Sequence, residues 1–138
     1  MQMNNRRSFI VGIKSLSLTN EEKKFLKKFK PWGIILFSRN IKSVVQSQKL
    51  TKAIRILFKD KNYPILVDQE GGRVNRLKKI FNFDALTSEY FGNLYLKDQK
   101  KFRIHYKIFI EKTIFFLKLI GININTVPVL DLRKKGSS

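Results

Sequence analysis

Residue types that build many active sites are absent or scarce in this sequence. It contains no Cys and a single His among 138 residues. Disulfides, thiolate metal sites and multi-histidine metal sites are therefore excluded. The sequence also lacks a phosphate-binding Gly-rich loop, a nucleophile elbow and metal-ligand spacing. We accordingly expect neither a metal nor a cofactor.

Acidic residues are also few. Ten Asp and Glu face 29 Lys and Arg, which gives a formal net charge of +19. So strong a charge invites a nucleic-acid interpretation. The lysines are spread along the whole chain in short runs, however, and no Arg-rich or aromatic-interleaved recognition motif is visible. We expect a lysine-coated, solvated surface and no specific nucleic-acid partner.

Long apolar runs are missing as well. Arg6 and Arg7 precede an apolar run that faintly resembles a signal peptide, but Lys14 interrupts it early and no convincing cleavage site follows. The most apolar later run, residues 113–122, contains Lys118 and is too short to span a bilayer. We expect a cytoplasmic protein in a reducing compartment that does not enter a membrane.

Short apolar runs alternate with helical patterns along the chain. Strands are predicted at residues 9–13, 33–37, 64–67 and 122–129, and helices at 20–30, 44–59, 87–96 and 99–120. Thr19 with Glu22 has the spacing of a capping box, and Ser43 with Gln46 repeats it. This alternation predicts an α/β fold with a parallel sheet.

Polar clusters follow the predicted strands at their C-terminal ends. Ligands bind at that edge of parallel α/β folds, whether the sheet is open or closed. The clusters are Ser38-Arg39-Asn40 after the second strand, Asp68-Gln69-Glu70 after the third and Asp131 after the fourth.

The cluster after the third strand lies in the stretch ILVDQEGGRVNRL, residues 65–77. Asp68 could accept two hydrogen bonds from adjacent sugar hydroxyls. Gly71 and Gly72 permit positive φ and a close approach of the backbone to a ligand. Arg76 could direct its fork toward an oxygen of the same ligand. These features would make the stretch half of a binding site.

A purely structural interpretation of the same stretch has equal weight. Asp68 would cap the turn, while Arg73 or Arg76 would pair with Glu70. Asp68 and Glu70 do not suit the two carboxylates of a glycosidase, because residues i and i+2 point the same way and cannot straddle a sugar. His105, on a helix crowded with aromatic residues, is better explained by packing than by catalysis.

Three stretches together resemble the N-terminal part of glycoside hydrolase family 3. They are WGIILFSRN at 32–40, ILVDQEGGRVNRL at 65–77 and GININTVPVLDLRKKGSS at 121–138. The second is the most specific, and it is similar to the β-N-acetylhexosaminidase branch. The resemblance implies the N-terminal half of a (β/α)8 barrel, with about four parallel strands and flanking helices. Residues 1–138 would be a partial barrel domain without its C-terminal half.

The resemblance also implies a role for two residues. The family's sugar-binding aspartate matches Asp68, and an arginine of its substrate site matches Arg76. The nucleophile, the histidine-aspartate acid/base pair and the other sugar contacts of the family follow the point where this sequence stops. His105 does not match the acid/base histidine. We therefore expect substrate-binding residues and no catalytic residue in this chain.

Two functions follow as expectations. The first is a fragment of a retaining exo-β-N-acetylglucosaminidase that releases terminal N-acetylglucosamine, in peptidoglycan recycling or carbohydrate metabolism. The second is a non-catalytic remnant or basic binding protein with an inherited half-barrel fold. A half barrel leaves two sheet edges open and apolar surface exposed, which predicts poor solubility, a complementing chain or an oligomer.

Overall fold

The computed structural model describes residues 6–129 as a four-stranded sheet with helices between the strands. The strands are β1 (Arg7–Gly12), β2 (Pro31–Ile35), β3 (Ile65–Val67) and β4 (Ile124–Asn125). The helices are α1 (Asn20–Phe29), α2 (Val44–Phe58), α3 (Ser88–Lys97) and α4 (Gln99–Leu119), with a short 3-10 turn at Ser38–Asn40.

All neighbouring strands are parallel, and their order in the sheet is β1-β2-β3-β4. Ile34 on β2 lies opposite Ile65 on β3. Leu66 on β3 lies opposite Ile124 on β4. Parallel neighbours need helical crossovers, and α1, α2 and the α3–α4 pair provide them. The predicted α/β class and parallel sheet are confirmed.

The first helix begins at the predicted capping box. The Thr19 hydroxyl accepts from the Glu22 N–H at 3.1 Å, and the Glu22 carboxylate accepts from the Thr19 N–H at 2.8 Å. Lys30, in the left-handed region at φ +47°, ends the helix just before Pro31. At the helix start, the capping box satisfies the backbone N–H groups of Thr19 and Glu22.

The second helix uses only half of the same motif. Ser43 accepts from the Gln46 N–H at 3.2 Å, as its spacing predicts. The Gln46 side chain instead accepts from the Lys42 N–H at 2.9 Å and donates to the Leu16 carbonyl at 2.7 Å. Gln46 therefore ties the helix start to the loop after β1.

Strand limits differ from the prediction, most clearly in β2 and β4. β2 runs from Pro31 to Ile35, two residues earlier than expected, because its pairing with β1 begins at Arg7. β4 comprises only Ile124–Asn125 of the predicted 122–129, because β3, its one neighbour within residues 6–129, is three residues long. Pairing partners, which the local sequence does not contain, set both limits.

The core lies between the sheet and its helices. Ile34, Ile65 and Val67 of the strands are fully buried together with Ile54 of α2 and Ile120 after α4. The outer face of α4 is different, since Ile104, Ile108, Ile114 and Phe115 are all about half exposed. No helix within residues 6–129 is long and apolar enough to cross a bilayer.

Candidate functional site

Asp68 is the first residue after β3, and Arg76 holds its carboxylate with both prongs of the guanidinium fork. The Nε of Arg76 donates to one carboxylate oxygen at 2.8 Å, and an Nη donates to the other at 2.7 Å. Each side chain is about one quarter exposed. Such a two-point ion pair fixes the plane and direction of the carboxylate.

The chain returns to Asp68 through a tight turn. The Val74 N–H donates to the Gly71 carbonyl at 3.2 Å, and the Glu70 N–H donates to the Val74 carbonyl at 3.1 Å. The turn reverses the chain, so that Arg76 reaches Asp68 from eight residues away.

Gly71 and Gly72 have positive φ, at +91° and +57°, as the sequence predicts. The sequence also predicts a close approach of the backbone at these glycines, and in the structure this approach is to another segment of the protein. A Cβ on Gly71 would lie 2.3 Å from the Leu86 carbonyl oxygen, and one on Gly72 would lie 2.7 Å from the Thr87 side chain. The two glycines therefore let the turn pack against the segment that leads into α3.

Gln69 anchors the same loop from beneath. Its side chain is 1% exposed, and its Oε1 accepts from the Leu77 N–H at 2.9 Å. Its backbone N–H donates to the side chain of Asn125 at 2.9 Å, and Asn125 donates back to the Gln69 carbonyl at 3.2 Å. The end of β3 is thus fastened both to its own loop and to β4.

The ion pair is charged at neutral pH. The hydrogen bonds from Arg76 hold the pKa of Asp68 below its usual range, against the opposing effect of burial. The bonds to Asp68 likewise raise the pKa of Arg76, with a smaller contribution from the charge of Glu70. An ionised carboxylate only accepts hydrogen bonds, which suits it to bind the hydroxyl groups of a ligand.

The pairing differs from the structural interpretation of the sequence, in which Arg73 or Arg76 pairs with Glu70. Arg76 directs its fork at Asp68 instead. Arg73 makes no salt bridge within residues 6–129. The sequence analysis named both residues as substrate-binding candidates but did not predict that they contact each other.

The cluster after β2 makes contacts with the end of β1. Asn40 is fully buried, donates to the carbonyls of Ile13 and Ser15, and accepts from the Phe37 N–H. Arg39 donates to the Ile13 carbonyl at 3.0 Å and stacks on the Phe37 ring. This cluster ties the end of β1 to the end of β2.

Phe37 connects the β2 cluster to the Asp68 site. The Arg39 guanidinium lies 4.6 Å from the centre of its ring, and the Arg76 guanidinium lies 5.6 Å from it. Cation–π contact on an aromatic face restricts both side chains. Arg76 is therefore held by Asp68 and by Phe37.

Sequence reasoning missed two asparagines in the GININ segment. Asn123 accepts from the Ile65 N–H at 2.8 Å and donates to the Tyr63 carbonyl at 3.1 Å. Asn125 makes the reciprocal bonds with Gln69 described above. Their i, i+2 spacing, which places both on one face of a strand, was the available signal.

The remaining candidates lie elsewhere. His105 is on α4, where its Nδ1 lies 3.0 Å from the Tyr90 hydroxyl on α3, in keeping with a packing role. Asp131 falls outside the described residues. No cluster of three or more potential metal ligands occurs in the part of the chain that the structure covers.

Known proteins were compared with this chain and its fold. A β-hexosaminidase of Xanthomonas campestris pv. campestris is 30% identical over 130 residues, which are 91% of this chain and 37% of the relative. NagZ of Neisseria gonorrhoeae, solved with a zinc ion, is 32% identical, has a TM-score of 0.80, and is matched over 92% of this chain and 38% of its own. NagZ has also been solved with N-trifluoroacetyl-D-glucosamine, and that structure gives 31% identity, a TM-score of 0.79, and coverage of 92% and 37%.

The chain is a relative of the β-hexosaminidases of glycoside hydrolase family 3. The match covers nearly all of this chain but little more than a third of each relative. Its four parallel strands with flanking helices match part of NagZ, whose domain is TIM-barrel-like. No family model matches the sequence. The resemblance carried by the three sequence stretches is thus confirmed at the level of family and fold.

Proposed function

We propose that this chain forms part of a retaining exo-β-N-acetylglucosaminidase, in which Asp68 accepts hydrogen bonds from two neighbouring hydroxyls of a terminal N-acetylglucosamine. The forked Asp68–Arg76 pair at the C-terminal end of β3 carries the proposal. That edge of a parallel barrel is where such enzymes bind substrates. NagZ, whose fold this chain shares, binds the analogue N-trifluoroacetyl-D-glucosamine, which supports the saccharide class.

The geometry suits a binding role for Asp68. Arg76 occupies one lone-pair direction of each carboxylate oxygen, and the remaining lone pairs can accept from a diol. The carboxylate is already ionised and oriented, so little side-chain freedom is lost when the sugar binds. Arg76 is a positioning residue in this scheme, and Phe37 holds it from the other side.

Chemistry at the anomeric carbon requires groups other than Asp68. A retaining glycosidase uses a carboxylate nucleophile, which forms a glycosyl-enzyme intermediate, and an acid/base group. The family resemblance assigns both to a segment beyond residue 138. Asp68 would assist by hydroxyl contacts that tighten as the ring approaches the transition state. We further propose a cytoplasmic role in peptidoglycan recycling or carbohydrate metabolism.

Residues 1–138 form the N-terminal half of the barrel domain in this proposal. Among the described residues β4 pairs with β3 alone, and the outer face of α4 exposes Ile108, Ile114 and Phe115. An open strand edge and an apolar helix face are both stable when covered. We propose that further barrel elements cover them, supplied by a longer polypeptide or by a complementing chain.

The experiment is turnover of 4-nitrophenyl N-acetyl-β-D-glucosaminide by the native protein isolated from its own cells. Asp68→Ala should lower kcat/KM by about a hundredfold or more, because charged hydrogen bonds to the sugar are lost. Glu111→Ala is the matched control, since Glu111 is an exposed carboxylate on α4 whose contact with Lys107 spans 3.9 Å. Retention of full kcat/KM by Asp68→Ala would contradict the proposed role of Asp68. Absence of turnover in the unsubstituted native protein would contradict the enzymatic proposal.

A further inference from the structure

A second candidate site lies between α2 and the end of α4. It is a groove of about 420 Å³, here named the basic groove. Its lining contains five cationic side chains and a single carboxylate, Asp60. The cations are Lys52, Arg55, Lys59, Lys61 and Lys118.

Side chains of α2 build the floor of the basic groove by holding the last carbonyls of α4. Gln48 donates to the Leu119 carbonyl at 2.7 Å, and Thr51 donates to the Ile120 carbonyl at 2.9 Å. Arg55 donates to the Gly121 carbonyl at 2.7 Å. Three successive carbonyls, which a helix end leaves without partners, are satisfied in this way.

The positive charge of the basic groove is poorly compensated. The carboxylate of Asp60 is already paired with Arg6, which lies outside the lining. None of the five lining cations forms a salt bridge within residues 6–129. The negative ends of α2 and α4 lie here and favour nearby cations. Two half-charges at helix ends nevertheless fall well short of balancing five cations.

Arg55 has hydrogen-bonding capacity left over. Its Nε is buried and has no partner among the described residues, while one terminal nitrogen bonds to Gly121. Burial lowers the pKa of Arg55 from its usual value, and the charge of Asp60 partly offsets this. A guanidinium remains protonated under such a shift, so the groove floor keeps its charge.

The arrangement of the cations favours an extended anion. Lys52 and Arg55 lie one turn apart on α2, and Lys59 is the left-handed C-cap residue that ends the helix. At the helical rise per residue, the seven positions from Lys52 to Lys59 span about 10 Å. Lys61 and Lys118 widen the cationic surface from two other segments. The lining has no aromatic side chain on which a base could stack.

We propose that the basic groove binds a linear chain of phosphate groups through the phosphates themselves, without reading bases. Exposed lysines, which act as point charges, suit this ligand better than a planar carboxylate. The basic groove is separate from the sugar site. Lys61 precedes β3 and Gly121 precedes β4, whereas Asp68 follows β3, at the opposite end of the strands.

The test compares two triple variants of equal charge. Lys52→Gln/Lys61→Gln/Lys118→Gln removes three exposed lysines of the basic groove, whose side chains form no salt bridge within residues 6–129. Lys23→Gln/Lys24→Gln/Lys27→Gln removes three exposed lysines of α1 as the matched control. The full chain is titrated against a fluorescein-labelled oligothymidylate, with unlabelled inorganic polyphosphate as the competitor.

The groove variant should bind about tenfold more weakly at fixed salt, and its salt slope should fall by about 2. The α1 control should change binding less than about threefold. Polyphosphate should displace the oligonucleotide, because the phosphates alone are recognised. Equal losses in both triples, no binding by the unsubstituted protein, or failure of polyphosphate to compete would each overturn the proposal. A triple Lys→Arg variant at the groove positions should keep the affinity, which separates charge loss from misfolding.

Discussion

The two sides of the sheet differ in how fully their apolar side chains are covered. Next to β2 and β3, Ile54 of α2 is completely buried and Asn40 satisfies its polar atoms inside the protein. On the β4 side, α4 leaves Ile108, Ile114 and Phe115 between 46% and 57% exposed. α2 exposes two large apolar side chains, Val45 and Ile56, whereas α4 exposes six. The α4 surface is where we propose that further barrel elements pack.

The segments that follow β3 and β4 also differ in how firmly they are held. The loop after β3 is anchored by Gln69, by the Asp68–Arg76 fork and by the glycine turn, and it presents a preorganised carboxylate. β4 itself has only two residues, and Thr126 after it adds one backbone bond to Val67. The carboxylate that we propose as a sugar contact is therefore oriented by its own loop and not by a long β4.

The largest expected effect contrasts one isoleucine from each side. Ile54→Ala should lower the free energy of unfolding by about 3 kcal/mol, because it leaves a cavity in the finished core. Ile114→Ala should cost less than about 1 kcal/mol in the isolated chain, because the side chain is half exposed. Urea unfolding measures both. A cost for Ile114→Ala as large as that for Ile54→Ala would show that the α4 face is covered in solution.

The two sides also differ in what their glycines do. Gly71→Ala should destabilise the chain by about 2 kcal/mol, because φ is +91° and the new Cβ would meet the Leu86 carbonyl. Gly92→Ala on α3 should stabilise it by about 0.5 to 1 kcal/mol, because the site is open and alanine favours a helix. Thermal unfolding of the pair gives the sign of each change. If Gly71→Ala did not destabilise the chain, the structural role assigned to the turn would be contradicted.

The smallest expected effect is the pH dependence of the Asp68–Arg76 pair. The folded-state pKa of Asp68 is lowered, so its contribution is present above the ordinary aspartate pKa and is lost as pH falls through the folded value. For a pair with this exposure the contribution is about 1 kcal/mol. Asp68→Asn should thus be less stable than the unsubstituted chain at neutral pH and equally stable once the pH has fallen below the folded-state pKa of Asp68. Urea unfolding across this range measures the difference, and a gap that widens in acid would contradict the charged pair.

Much of the fold followed from local patterns. Thr19 with Glu22, Pro31 and the apolar runs marked the first helix and the strands, because caps and buried runs act within a few residues. The strand limits could not be predicted from local patterns, because β4 ends where its pairing partner β3 ends. Family resemblance, rather than periodicity, selected Asp68 and Arg76 as a pair of site residues.

The contacts within the site could not be predicted from the sequence. Arg76 meets Asp68 only because the turn at Gly71 reverses the chain. Asn125 meets Gln69 across 56 residues, and Arg55 meets Gly121 across 66. Such contacts depend on how the strands and helices come together, which a short sequence window does not contain. The roles of the asparagines and of the basic groove emerged only from the structure.

The most direct test of the proposal that further barrel elements cover the β4 side is the mass of the native protein isolated from its own cells, measured first intact and then after denaturation. Within residues 6–129, β4 pairs with β3 alone and α4 exposes an apolar face, so the proposal predicts a native species well above 16.3 kDa, either as a longer polypeptide or as a complex. The denatured mass separates these two. A monomer of 16.3 kDa that unfolds in one sharp transition would contradict the view that this side awaits further barrel elements.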